Sequence, residues 1–217
     1  MTNKEIVSQT ADFIKAKLSG EGSGHDWFHV ERVWKNAIHI GSHEHADMFI
    51  VELAALLHDI ADWKFAGGDD TAGPREARTW LMGLNVDEQT IVHICEIIKD
   101  LSFKGAGVKT TMKTKEGMIV QDADRLDAIG AIGIARAFAY GGHKGSELYN
   151  PDVKPEFHAT FDEYKKSRGN TINHFHEKLL LLKDLMNTRT AQQLAGERHE
   201  FMLLFLRRFV DEWEGKQ

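Results

Sequence analysis

With one cysteine, Cys95, in 217 residues, the sequence has no means of forming an intrachain disulfide scaffold or a cysteine-rich zinc knuckle. Prolines are also few: Pro74, Pro151 and Pro155. No apolar run approaches the roughly 18 residues that a membrane helix needs, so no span is expected. The segment Met1-Thr2-Asn3-Lys4-Glu5-Ile6 lacks the apolar stretch of a signal peptide, and the cytoplasm is the expected compartment. An excess of positive charge is missing too. Lys plus Arg total 27 against 33 Asp plus Glu, a net charge of -6. That balance argues against general nucleic-acid binding through the phosphate backbone. A small phosphorylated substrate needs only a local basic pocket and stays open.

What is present reads as an ordinary globular chain, 42% apolar and 28% charged. Its length suits one large domain, here residues 1–217, with a motif core over about 23–140 and a C-terminal helical extension over about 158–213. Apolar residues recur three and four apart while period-two alternation is scarce, so the expected fold class is all-α. Helices are expected over about residues 3–18, 26–40, 45–62, 74–84, 87–101, 114–140, 171–186 and 190–213. The third contains Leu53-Ala54-Ala55-Leu56-Leu57 and should lie at the centre of the core. The stretch over 114–140 carries Gly117, Gly130 and Gly133, so a break near Gly130 and a set of close helix crossings are both open. In the last helix Leu194, Phe201, Leu204, Phe205 and Phe209 form an apolar stripe.

Histidine is the abundant type, with 12 copies, several beside carboxylates. Three strings stand out: His25-Asp26-Trp27-Phe28-His29-Val30-Glu31-Arg32-Val33, Leu56-Leu57-His58-Asp59-Ile60-Ala61-Asp62, and Gln121-Asp122-Ala123-Asp124-Arg125-Leu126-Asp127. His58-Asp59 ends the most apolar helix, where polar groups are costly unless paired or bound to a cation. A core histidine donating to the neighbouring aspartate would satisfy the same pattern. His29 sits among apolar neighbours and could be a core residue or a ligand. Asp122 could cap a helix, and Asp127 could pair with Arg125 or Arg136. Together, His29, His58, Asp59 and Asp124 could supply two imidazoles and two carboxylates to one divalent ion. Such a mixed set leaves positions open for water or a phosphoryl oxygen, which suits hydrolysis better than a closed structural site.

These strings resemble the HD-domain phosphohydrolase superfamily, named for its His-Asp doublet. With Ala123-Asp124-Arg125-Leu126-Asp127-Ala128-Ile129-Gly130-Ala131-Ile132-Gly133, they resemble its small stand-alone bacterial branch typified by YpgQ- and YedJ-like proteins. The resemblance implies an all-helical domain and metal ligation by His29, His58, Asp59 and Asp124. It also implies hydrolysis of nucleotides, among them nucleoside and deoxynucleoside triphosphates. One divalent ion is expected, with Mn or Mg favoured over Ni, Co, Fe or Zn. His93 is the only histidine between the doublet and Asp124, too few for a usual second site.

The chemistry would be attack of a metal-activated water on phosphorus. Asp59 and Asp62 are the expected catalytic carboxylates, Asp59 at the metal and Asp62 as general base or acid. Asp62 could equally cap its helix or orient a ligand histidine. Phosphate contacts are expected from Lys64, Lys104 and Arg125, with His25 at the same side. Tyr140, Tyr149 or Phe157 could stack on a base. Cys95 reads as inert packing. Phe205, Phe209 and Trp213 could serve a homodimer interface or the core. Two other functions compete: a two-metal, oxygen-dependent oxidase, and a non-enzymatic nucleotide sensor that retains the metal site.

Overall fold

The structure, a computed structural model, describes residues 1–20, 26–61, 71–101, 112–156 and 169–216. Among these there are helices and no strand, so the chain is all-α. Helix α1 spans Asn3–Lys17, and its first turn is closed by a capping box. There Thr2 Oγ1 accepts from the Glu5 amide while the Glu5 carboxylate accepts from the Thr2 amide. Helices α2 (Trp27–Glu44), α3 (Met48–Leu57) and α5 (Glu88–Asp100) each begin after an aspartate that caps the exposed amides: Asp26, Asp47 and Asp87. Between the last two lies α4, Ala72–Gly83. Pro74 falls in its first turn, where a missing amide proton costs no hydrogen bond.

Helix α6 covers Lys115–Asp127 and α7 covers Gly130–Lys144. The break near Gly130 is therefore real, and Gly130 makes it with φ +75°, a left-handed conformation that other residues resist. Helix α8 (Thr171–Glu177) is followed by a 3-10 segment, Leu179–Leu185, and then by α9, Arg189–Trp213.

Contacts divide the chain into two units. The first runs from α1 through α5 and takes in α6 as far as Asp124. Its centre is α3, which packs on α1, α2 and α5. Val51 and the run Leu53 to Leu57 are fully buried, as are Ile14, Val33, Ala37, Ile40 and Ile94 on the surrounding helices. The Trp80 indole donates to Thr10 Oγ1 at 3.0 Å and joins α4 to α1. Phe13 stacks on the same indole at 3.8 Å between ring centroids. Both rings line an open pocket of about 480 Å³ together with Ile60.

The second unit starts at Arg125 and holds α7, α8, the 3-10 segment and α9. Phe138, Phe175, Phe205 and Phe209 form one aromatic cluster at its centre, with centroids 5.9 to 6.3 Å apart. Tyr149 meets Phe209 and Trp213 edge-on at 5.8 and 5.1 Å.

Three helices depart from expectation. The third is shorter than 45–62, because Asp47 starts it late and the chain leaves helical pairing after Leu57. The helix expected over 171–186 changes at Lys178 (φ -140°, ψ -58°) to a 3-10 turn. Four successive leucines cannot share one face of an α-helix. The tighter turn eclipses i and i+3 and carries Leu179 and Leu182 inward together. In α9 the buried stripe is Ala191, Ala195, Met202 and Leu206, small or pliable side chains that admit close neighbours. Phe201 and Leu204, two members of the apolar stripe, are each 48% exposed.

Candidate metal centre

The end of α3 makes the first half of the site. His58 keeps helical angles (φ -60°, ψ -35°) as the C-terminal cap of that helix, and its Nδ1 lies 2.8 Å from the Ala55 carbonyl oxygen. A carbonyl only accepts, so Nδ1 carries the proton and donates. The bond satisfies one of the carbonyls left unpaired at a helix end. It also fixes the tautomer: Nε2 of neutral His58 holds a lone pair. A ligand histidine locked through its other nitrogen is the arrangement that metal sites use.

Two other groups lie beside that lone pair. His58 Nε2 lies 3.3 Å from His29 Nε2 and 3.5 Å from Asp59 Oδ2. His29 Nε2 is 3.4 Å from the same Asp59 oxygen and 3.5 Å from Asp124 Oδ1. The two rings meet edge to face, 5.3 Å between centroids. His29 is set by α2, whose cap Asp26 accepts from the His29 amide at 2.9 Å. Asp124 is carried by α6, and the Asn36 side chain of α2 donates to the Ala123 carbonyl beside it at 3.5 Å.

Nitrogen lone pairs and carboxylate oxygens at this spacing repel one another unless a cation lies among them. His29, His58 and Asp59 each offer one ligand atom within 4.8 Å of the others, a cluster that can hold one divalent cation. It is the one such group of three or more among the described residues. The donor set, two imidazoles with carboxylate, suits Zn, Fe, Ni or Mn and lacks the thiolates of closed structural sites. Exposure rises across it, from 2% and 4% for the His29 and His58 side chains to 17% for Asp59 and 40% for Asp124. The cluster is closed on the histidine side and open on the Asp124 side.

The other candidates separate. His25, Asp62, Lys64, Lys104 and Phe157 lie outside the described residues. The Arg125 guanidinium donates to the Leu185 carbonyl. Asp127, buried beyond Asp124 on α6, pairs with Arg136, one of the two partners its spacing allowed. Asp122 is fully buried. Cys95 is half-buried; its thiol donates to the Pro74 carbonyl at 3.3 Å, and burial pushes its pKa up, consistent with inert packing. His93 comes no nearer than 3.9 Å to Glu116, so the described residues do not assemble the second ion that an oxidase would need. Tyr140 lies under the Lys144 ammonium at 5.6 Å.

Two contributors escaped the sequence reading, Asp26 and Asn36. Asp26 was legible in principle: an aspartate three residues before a histidine at a helix start is a capping pattern. Asn36 contacts a carbonyl 87 positions away, which no local pattern announces.

Comparison with known proteins agrees with this geometry. The HD domain family matches residues 27–129, which include His29, the His58-Asp59 doublet and Asp124. YpgQ of Bacillus subtilis (strain 168) is 43% identical over 218 residues, covering 99% of this chain and 97% of its own. A crystal structure of an HD-superfamily hydrolase from Bacillus thuringiensis superposes with a TM-score of 0.80 at 43% identity, covering 99% of this chain and all of that one. The structure of Bacillus subtilis YpgQ in complex with ADP superposes at 0.78 and, aligned by structure, is 38% identical, covering 98% and 97% of the two chains. The chain belongs to the HD-domain phosphohydrolase superfamily, close to its small bacterial YpgQ-like branch. Fold, family and assembled ligands make it a metal-dependent hydrolase. No helix among the described residues is long and apolar enough to cross a membrane.

Proposed function

We propose that this protein hydrolyses nucleotides, with nucleoside and deoxynucleoside triphosphates as its substrates and the cytoplasm as its place of work. The observation that carries the proposal is the open His29–His58–Asp59 cluster, with Asp124 at its exposed edge, in a chain similar to one crystallised with ADP. A bound divalent cation, Mn or Mg in this reading, supplies Lewis acidity: it polarises a phosphoryl oxygen and acidifies water.

The chain's own residues do the rest. His29, His58, Asp59 and Asp124 hold the ion. The Ala55 carbonyl keeps the His58 ring in the ligating tautomer, and Asp26 holds the first turn that carries His29. Asp62 takes the role of general base or acid, and His25, Lys64, Lys104 and Arg125 contact the phosphates. Of these, Arg125 must exchange its bond to the Leu185 carbonyl for one to substrate.

The test is a product-resolved assay of the purified protein with Mn, Mg, Ni, Co or Zn and a panel of nucleoside mono-, di- and triphosphates. Metal-dependent turnover of triphosphates is expected, lost in His58→Ala and Asp124→Ala. Full activity in metal-defined buffer after His58→Ala would sink the proposed centre. Verified occupancy without turnover of any nucleotide would instead favour the sensor.

A further inference from the structure

We propose that His39 and His43 form a second metal site, a pair of imidazoles at the C-terminal end of α2 that takes Cu, Ni or Zn and stands apart from the candidate hydrolytic centre. The two histidines are four residues apart in α2, so they share one face of the helix. Both are exposed, whereas the buried side of α2 is His29, Val30, Val33, Ala37, Ile40 and Gly41. Neither ring therefore fills the core. His39 follows His29 by ten positions, about 15 Å along the helix axis, so one ion cannot serve both.

The two exposed rings are already close. Their centroids lie 4.7 Å apart at an interplanar angle of 49°. An ion about 2.0–2.1 Å from an imidazole nitrogen is about 3.2 Å from that ring's centre, so two rings at about 90–109° around it have centres about 4.5–5.2 Å apart. The observed spacing falls in that range. Hydrogen bonds set the donor atom of His43. Its Nδ1 lies 2.8 Å from the His39 carbonyl oxygen, which only accepts, so Nδ1 holds the proton and Nε2 keeps the lone pair. The same device fixes His58 on Ala55. Ser42 Oγ donates to the His39 carbonyl as well, at 2.8 Å. The His39 ring makes no hydrogen bond among the described residues, which leaves its lone pair to a cation. Position adds to this, because the unpaired carbonyls of the last turn give that end of α2 a partial negative charge. The donor set also differs from that of His29, His58, Asp59 and Asp124. With nitrogen donors alone, the pair favours Cu over Ni and Zn, and it disfavours Mn and Mg, which prefer oxygen. Helix α2 thus joins a mixed nitrogen and oxygen cluster near its start to a nitrogen pair near its end.

The experiment titrates the metal-stripped full chain with Ni alone by isothermal calorimetry, then with Mn. Wild type should take up two Ni ions per chain but one Mn ion. His39→Ala and His43→Ala should each weaken one Ni event by about 100-fold, the upper end of what even an outer partner contributes at metal sites, and leave Mn binding unchanged. His143→Ala removes an exposed histidine with no second histidine on its helix face and should change neither metal. His58→Ala should remove the other Ni event and keep this one, so loss of the candidate hydrolytic centre and loss of this site read differently. In the His43→Ala chain, Lys35→His sets a new imidazole four residues before His39 on the same exposed face and should restore the event. Circular dichroism melting without metal checks that these exposed substitutions leave the fold intact. Ni binding at wild-type strength in both His39→Ala and His43→Ala overturns the proposal. So does a single Ni event in wild type that His58→Ala abolishes, or a failure of Lys35→His to restore binding in a folded chain.

Discussion

Replacing Arg136 with Met tests whether Asp127, three residues beyond the proposed ligand Asp124, has a structural task separate from the candidate metal site. The Asp127 side chain is 2% exposed and the Arg136 side chain 29%, so the ion pair is largely withdrawn from water. Breaking such a pair from one side typically costs 3–5 kcal/mol, because a buried charge loses its partner. The low end applies here, since the Arg198 guanidinium also feels Asp127 and retains part of the compensation. A loss of about 3 kcal/mol follows, which for a chain of this size lowers Tm by about 6–12 °C. The second substitution, Asp127→Asn, removes the charge that Arg136 had balanced. The double variant should regain about 1.5 kcal/mol or more. Urea unfolding of the wild type, both single variants and the double closes the cycle, and metal per chain is counted alongside. An Arg136→Met protein within 1 kcal/mol of wild type, or one with normal stability and no metal, would refute the separation of roles.

Two further perturbations bear on other parts of the fold. Burial, and to a lesser degree the Lys178 ammonium, push the His174 imidazole down to about 4 from 6.5. The unfolded chain therefore binds the extra proton first. His174's contribution is complete above about pH 6.5 and is lost as pH falls toward 4, roughly 3 kcal/mol in all. Wild type should lose that much more than His174→Gln between pH 7 and 4, and parallel stability curves would disprove it. Gly130→Ala meets a left-handed φ of +75°, and its new Cβ would lie 2.9 Å from Arg198 Cγ. Backbone strain and displacement of Arg198, which donates to the Leu126 carbonyl, together cost about 2–3 kcal/mol. A melting temperature equal to wild type would show that the turn after α6 tolerates a side chain.

The helical class and the start of α5 were legible because they rest on local chemistry: Asp87 before α5, and apolar spacing within the helices. The four proposed ligands were legible for a different reason. A His-Asp doublet after solid leucine and alanine has few explanations in which it is left alone. The sequence did not show that His58 sits at the end of α3 with its ring turned back to the Ala55 carbonyl, where tautomer and position are set by one bond. It also failed to say which apolar side of α9 is buried. Ala191, Ala195 and Met202 pack better against neighbours than the larger Phe201 and Leu204, and hydrophobicity alone ranks them the other way. Arg125 and Arg136 could not be told apart from spacing, and only the fold assigns one to a carbonyl and the other to Asp127.

The most direct measurement is metal binding itself, followed by thermal melting of metal-stripped protein titrated with Mn and by metal analysis of the loaded protein. The account predicts one ion per chain. At a free Mn concentration 100 times the dissociation constant it predicts a stabilisation of about 2.7 kcal/mol. That corresponds to a rise in Tm of about 5–11 °C. Occupancy and shift should both vanish in His58→Ala. Equal occupancy and an equal shift in wild type and His58→Ala would mean that the ion binds elsewhere and that the cluster of His29, His58 and Asp59 is not the metal centre.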